Sequence, residues 1–186
     1  MSHPAFDAAG LVKFDLSNGT IRAAGEEPLA LIPAGVVSML EPSEGLDRAA
    51  RNWGATHGKR LADVLAASGE PSTIDLLVEY LGGSLTTAGL GRLSIVIRGD
   101  ALMFRVDAGR QASRSAGRRA LLAGFIAGYL EVLGPAAFGV VHVGGDDSSD
   151  LFWAGNPDAA RQVQGWLEQG VEPATAVDRL AQGGTA

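Results

Sequence analysis

The sequence predicts an α+β fold: an antiparallel sheet of two long hairpins with helices packed on one face, plus a small N-terminal hairpin. Three observations carry this expectation. Apolar residues alternate over 93–106 and again over 138–154, each stretch broken by a short turn. Apolar residues recur at helical spacing over 46–67, 74–81 and 115–133. Hairpins pair their strands antiparallel, whereas a doubly wound parallel sheet needs a crossover after each strand.

Taken in order, residues 11–16 alternate, with Leu11, Lys13 and Asp15 set against Val12, Phe14 and Leu16. Ser17-Asn18-Gly19 supplies a turn, and Thr20-Ile21-Arg22 returns as the second short strand. Pro33 limits the apolar run from Leu29 and opens a short helix over 34–40. The helix over 46–67 carries Leu46, Ala49, Ala50, Trp53, Leu61, Val64 and Leu65 at helical spacing. Ser72 is placed as the N-cap of the next helix, with Asp75 three residues later and Gly82-Gly83 as its end. Leu93–Arg98, the turn Gly99-Asp100 and Ala101–Val106 make the first long hairpin. An arginine-rich connector over 107–119 leads into the helix that Gly134-Pro135 stops. Phe138–Val143, a turn over 144–149 and Asp150–Ala154 make the second. Asn156-Pro157-Asp158 opens a helix with Val163, Trp166 and Leu167 inward, and a last short helix follows Pro173. Residues 11–182 are expected as one domain, with 1–10 and 183–186 as flexible ends.

Composition narrows the function classes. At 186 residues, 46% apolar and 19% charged, the chain suits one domain with its own core and not a disordered segment. The longest apolar run, Ala120–Leu130, ends at Glu131, short of the roughly 20 residues a membrane span requires. No signal peptide stands at the start, so a cytoplasmic protein is expected. A formal net charge of −6 argues against a nucleic-acid partner. Without cysteine there are no disulfides, thiol nucleophiles, acyl-cysteines or cysteine zinc sites. Of 15 basic residues only Lys13 and Lys59 are lysines, which reads as the coding bias of a GC-rich genome and not as phosphate recognition.

The order of elements and the placing of glycines resemble the 4-vinyl reductase (4VR) domain, a relative of the small subunits of TRAPP tethering complexes. The resemblance spans Gly10 to Trp153. It rests on Gly19-Thr20-Ile21 through Leu31-Ile32-Pro33, a long helix with Gly54 and Gly58, Gly89-Leu90-Gly91 before the first long hairpin, and the Leu122-Ala123-Gly124 to Gly128 helix. It implies binding of a small hydrophobic molecule or pairing with partner subunits, without catalysis. Family members that carry cysteines in and after the last hairpin have no counterpart here, where Gly144 to Trp153 contains none. A thiol, metal-cluster or acylation role therefore does not transfer, and no cofactor is expected.

Each candidate site has a plainer reading beside it. Gly124 and Gly128, like Gly54 and Gly58, form a Gly-x-x-x-Gly step that lets another backbone approach, either at a subunit interface or inside one subunit. Trp53 and His57 share a helix face, as do Phe125 and Tyr129, and with Phe104 they form the candidate ligand-binding set, against plain core. Asp146, Asp147 and Asp150 lack the spacing of a calcium loop and read as a solvated turn. Arg110, Arg114, Arg118 and Arg119 read as a solvated connector. Two separated histidines, His57 and His142, make no metal site. No Gly-Lys-Ser/Thr loop, Ser-His-Asp order or convergent carboxylate pair is present. The sequence thus favours a non-catalytic, homodimeric interaction or assembly module, with a sensor of a small hydrophobic molecule as the alternative.

Overall fold

The structure, a computed structural model, describes residues 12–15, 17–18, 20–23, 28–29, 34–69, 73–98, 101–108, 115–134 and 136–183. The expected flexible start at 1–10, the cap at Ser72, the Gly99-Asp100 turn, Arg110 and Arg114, and the last three residues lie outside these. Among the described residues no helix is long and apolar enough to cross a membrane.

The N-terminal alternation becomes β1 (Val12–Asp15) and β2 (Thr20–Ala23), and a short β3 (Pro28–Leu29) extends them into a three-stranded antiparallel sheet. Asp15 holds the turn, its carboxylate accepting the N–H groups of Ser17 and Asn18 as well as their side chains. After a single turn of helix, α1 (Ala34–Val37), comes the long α2 (Glu44–Ser68). Ser43 caps α2 by accepting the Leu46 N–H, and Gly69, at φ +67°, ends it in the left-handed conformation.

The next helix, α3 (Ile74–Thr87), is capped by Thr73 and runs through Gly82-Gly83 instead of stopping there. Tertiary packing outweighs the glycine cost: Leu81, Ser84 and Leu85 are buried, and a Cβ on Gly82 would lie 3.3 Å from the Leu93 Cβ. The first long hairpin is β4 (Arg92–Arg98) and β5 (Ala101–Asp107), in register with Arg98 opposite Ala101. Ser115 caps α4 (Ala116–Leu133), whose stretch from Gly124 to Leu130 is buried without a break. The second long hairpin, β6 (Gly139–Asp146) and β7 (Ser149–Gly155), has a tighter turn than 144–149, and its register shifts between His142 and Gly144. Asn156 caps α5 (Pro157–Glu168), and α6 (Pro173–Gly183) follows.

The two ribbons lie in one antiparallel sheet of order β4-β5-β7-β6, joined where Met103 faces Trp153 and Phe104 faces Phe152. Helices on one sheet face account for α2, α3 and α4, which close over Phe104, Val106 and Phe152. The structure adds a layer that the sequence reading had not placed. Ala160 and Val163 of α5, with Ala176 and Val177 of α6, cover Met103, Val141, Val143 and Trp153 on the opposite face. Side chains alternate across a strand, so consecutive burial of Met103 and Phe104, or of Phe152 and Trp153, requires cover on both sides.

Candidate functional site

Four glycines set the position of α2 against α4. A Cβ on Gly54 would collide with the Phe125 carbonyl, and one on Gly128 with the carbonyl of Arg51. One on Gly58 would lie 2.7 Å from the Tyr129 carbonyl, and one on Gly124 2.8 Å from the Ala50 Cβ. The two Gly-x-x-x-Gly steps therefore face each other, and the helices meet backbone to backbone. Gly124 and Gly128, read from the sequence as either a subunit interface or packing inside one subunit, lie on the face of α4 that packs against α2. Their partner is a helix of the same chain.

This close approach brings the aromatic candidates together. Trp53 and His57 stand 5.8 Å apart, Trp53 and Phe125 4.8 Å, His57 and Phe125 5.5 Å, and Phe125 and Tyr129 6.4 Å, measured between ring centroids. Phe104 belongs to the same core from the sheet side. Phe104, Phe125 and Tyr129 are fully buried, whereas Trp53 and His57 are only partly so, which places the approach from solvent on the Trp53–His57 side.

Three buried polar atoms in this cluster have no hydrogen-bond partner: Trp53 Nε1, His57 Nδ1 and the Tyr129 hydroxyl. Buried polar groups are ordinarily satisfied, and each orphan costs about 1–3 kcal/mol. Burial, with the Arg60 cation as a second cause, lowers the His57 pKa to about 4, so its ring is neutral at pH 7. Burial and the neighbouring Tyr80 push the Tyr129 phenol above its usual range, so it stays protonated. The site is a neutral aromatic cluster offering an indole N–H, a hydroxyl and an imidazole that accepts through one nitrogen. Two cavities of about 440 and 700 Å³ lie elsewhere, at β6 and between α5 and α6, and neither is lined by these five residues. Among the described residues no group of three His, Cys, Asp or Glu side chains could hold a metal ion.

A second cluster escaped the sequence reading. Asp146 and Asp147 are exposed, as a solvated turn should be, but Asp150 is 1% exposed. Its Oδ2 accepts from Arg118 Nη1 at 2.6 Å, while Oδ1 lies 3.2 Å from both Arg119 Nε and His142 Nε2. Arg118, read as part of a solvated connector, is 4% exposed and also donates to the Leu90 carbonyl at 2.6 Å. The signal was present in the strand period. Asp150 sits two residues before Phe152 and so shares its inward face.

No known family profile matches the chain, and no curated protein matches it. A solved structure similar to it is the phenol-responsive sensory domain of the transcription activator PoxR, determined with phenol. The likeness has a TM-score of 0.56 at 12% identity and covers 79% of this chain and 86% of that one. At this identity what the two share is the fold, α+β with an antiparallel sheet.

Proposed function

We propose that this chain is a ligand-binding domain of the sensory type, taking a small aromatic molecule that carries one hydroxyl or equivalent polar group. The observation that carries the reading is the set of three partnerless polar atoms around one aromatic cluster, Trp53 Nε1, His57 Nδ1 and the Tyr129 hydroxyl. A hydroxyl suits them, because it donates to a neutral imidazole nitrogen while accepting from an indole N–H. The fold shared with a phenol-responsive sensory domain supports the same reading. The assembly reading favoured by the sequence gains no support from the α4 glycine step, which packs against α2 within the chain. Kinship with the 4VR/TRAPP group belongs to the proposal and is supported by the joining of both ribbons in one sheet. The role is binding without turnover.

Calorimetric titration with phenol, and with toluene as the ring lacking a hydroxyl, tests it. Phenol should bind about tenfold more tightly, the worth of a hydrogen bond in a dry site. Replacing His57 with Leu should erase that preference. Equal binding of the two rings, or no phenol binding at millimolar concentration, would sink the reading.

A further inference from the structure

We infer that the outer edge of β4 is an interaction surface for a second copy of this chain, the two β4 strands pairing antiparallel about a two-fold axis at Ile95. This surface does not depend on the binding role proposed for the aromatic cluster. The sheet runs β4-β5-β7-β6, so β4 and β6 each have one edge that no described strand pairs with. The two edges differ. In β6 the register shifts between His142 and Gly144, and Gly144 and Gly145 have positive φ, an irregularity of the kind that keeps an edge from pairing with another chain. β4 pairs with β5 in unbroken register over seven residues, contains no proline or lysine, and keeps its charges at its two ends. A regular edge of this kind is a template for a further strand.

The side chains of β4 select its own copy as the occupant. Leu93, Ile95 and Ile97 share the face toward the helices, and their cover fades along the strand. Leu93 is 5% exposed beneath α3, where a Cβ on Gly82 would lie 3.3 Å from its own, Ile95 is partly buried, and Ile97 is 68% exposed. Antiparallel pairing centred on Ile95 sets the bare Ile97 of each copy beside the partner's covered Leu93, so each strand end supplies what the other lacks. A slip of one residue would instead set Ile97 beside the partner's Ser94, on the other face. Charge agrees with this register. Arg92 and Arg98 lie on the face away from Ile95, and Asp178 of α6 accepts from Arg98 through both oxygens, at 3.0 and 2.9 Å. Arg92 is exposed and stands opposite Asp107, whose carboxylate Arg105 holds, and it has no partner of its own among the described residues. In the joined sheet the partner's Arg92 arrives beside the Arg98–Asp178 pair. A carboxylate has about four lone-pair sites, so Asp178 can accept from this second guanidinium and offset the repulsion between arginines facing each other across the strands.

The test is sedimentation equilibrium of the full chain across the micromolar range, which should show a dimer with a dissociation constant on the order of micromolar, as suits a small interface. Ile97→Lys, at a position that faces solvent in the single copy, should weaken the dimer at least about tenfold while the near-ultraviolet circular dichroism stays that of the parent. Arg92→Ala should weaken it by a few-fold. Because the chain has no cysteine, one introduced thiol reports the register. Residues opposite each other in an antiparallel pair lie about 4.5–5.5 Å apart at Cα, within the span of a disulfide. Ile95→Cys should therefore form a covalent dimer under mild oxidation, far faster than Met39→Cys at an 80% exposed position outside the sheet. A chain that stays monomeric throughout, a dimer that Ile97→Lys leaves unchanged, equal cross-linking of Ile95→Cys and Met39→Cys, or masses that grow past the dimer would each overturn the assignment.

Discussion

Arg118 on α4 and Asp150 on β7 meet at 2.6 Å with neither side chain more than 4% exposed, pinning the start of the central helix to the middle of the sheet. A buried pair of this kind contributes little net stability relative to an apolar replacement, yet breaking it strands a charge. Arg118→Met leaves Asp150 with Arg119 and His142, so it is expected to destabilise by about 1–3 kcal/mol in urea unfolding. The double variant Arg118→Met with Asp150→Leu should recover most of that loss. If the single variant costs less than about 1 kcal/mol, water reaches the pair and the burial argument fails.

The glycines of the α2–α4 seam give a graded series. Gly54→Ala and Gly128→Ala drive a methyl into backbone carbonyls, which cannot move without parting the helices, so a loss of at least about 3 kcal/mol is expected. Gly124→Ala meets a methyl at 2.8 Å and should cost less. Gly165, on α5, has nothing within 4 Å of its added Cβ, and Gly165→Ala should stabilise by about 0.4–1 kcal/mol. Melting temperatures of the four variants should follow that order.

Much of this was legible beforehand because periodicity is a local property. The two long hairpins and α4 follow directly from alternation and helical spacing, and their joining in one sheet followed from the hairpins and the single intervening helix. The meeting of Trp53, His57, Phe125 and Tyr129 was half legible: each pair shares a helix face, but only facing glycines bring the two faces together. What stayed hidden depended on long-range partners. Gly82-Gly83 reads as a stop until Leu93 is seen against it, and Asp150 reads as turn polarity until Arg118, 32 positions away, arrives beside it. The cover from α5 and α6 was signalled by the unbroken Leu151-Phe152-Trp153 run, which one-sided burial does not explain.

The buried imidazole makes stability depend on pH. Folded, His57 takes a proton only near pH 4, whereas an unfolded histidine does so near 6.5. Between those values the unfolded chain holds more protons, so stability rises with pH across the window. The contribution is complete above 6.5 and is lost as pH falls toward 4, with a full span on the order of 3 kcal/mol. Asp150 acts in the same direction at lower pH. Burial would raise its pKa, but the His142 hydrogen bond and the Arg118 and Arg119 charges more than offset this and lower it. Urea midpoints at pH 7 and pH 5 separate the two, because His57→Leu should flatten the change while leaving the acid limb below pH 4. An unaltered pH 5 to 7 slope in that variant would rule out His57 as its source.

In the proposed site, Tyr129 carries a trade between stability and binding. Its hydroxyl is buried without a partner, so the empty protein bears a desolvation cost that a bound ligand would relieve. Tyr129→Phe keeps the ring against Phe125 and removes only that oxygen. The variant should be more stable than the parent by about 1 kcal/mol in the absence of ligand, since an orphaned hydroxyl is worth removing. Its affinity for phenol should nonetheless fall by about three- to tenfold, the loss of one hydrogen-bonding contact. Opposite signs for the two effects distinguish a ligand site from ordinary core, where removing a useful hydroxyl lowers stability and leaves phenol indifferent. Thermal melts with and without phenol read both at once, and a variant that melts lower than the parent would mean that the hydroxyl already has its partner.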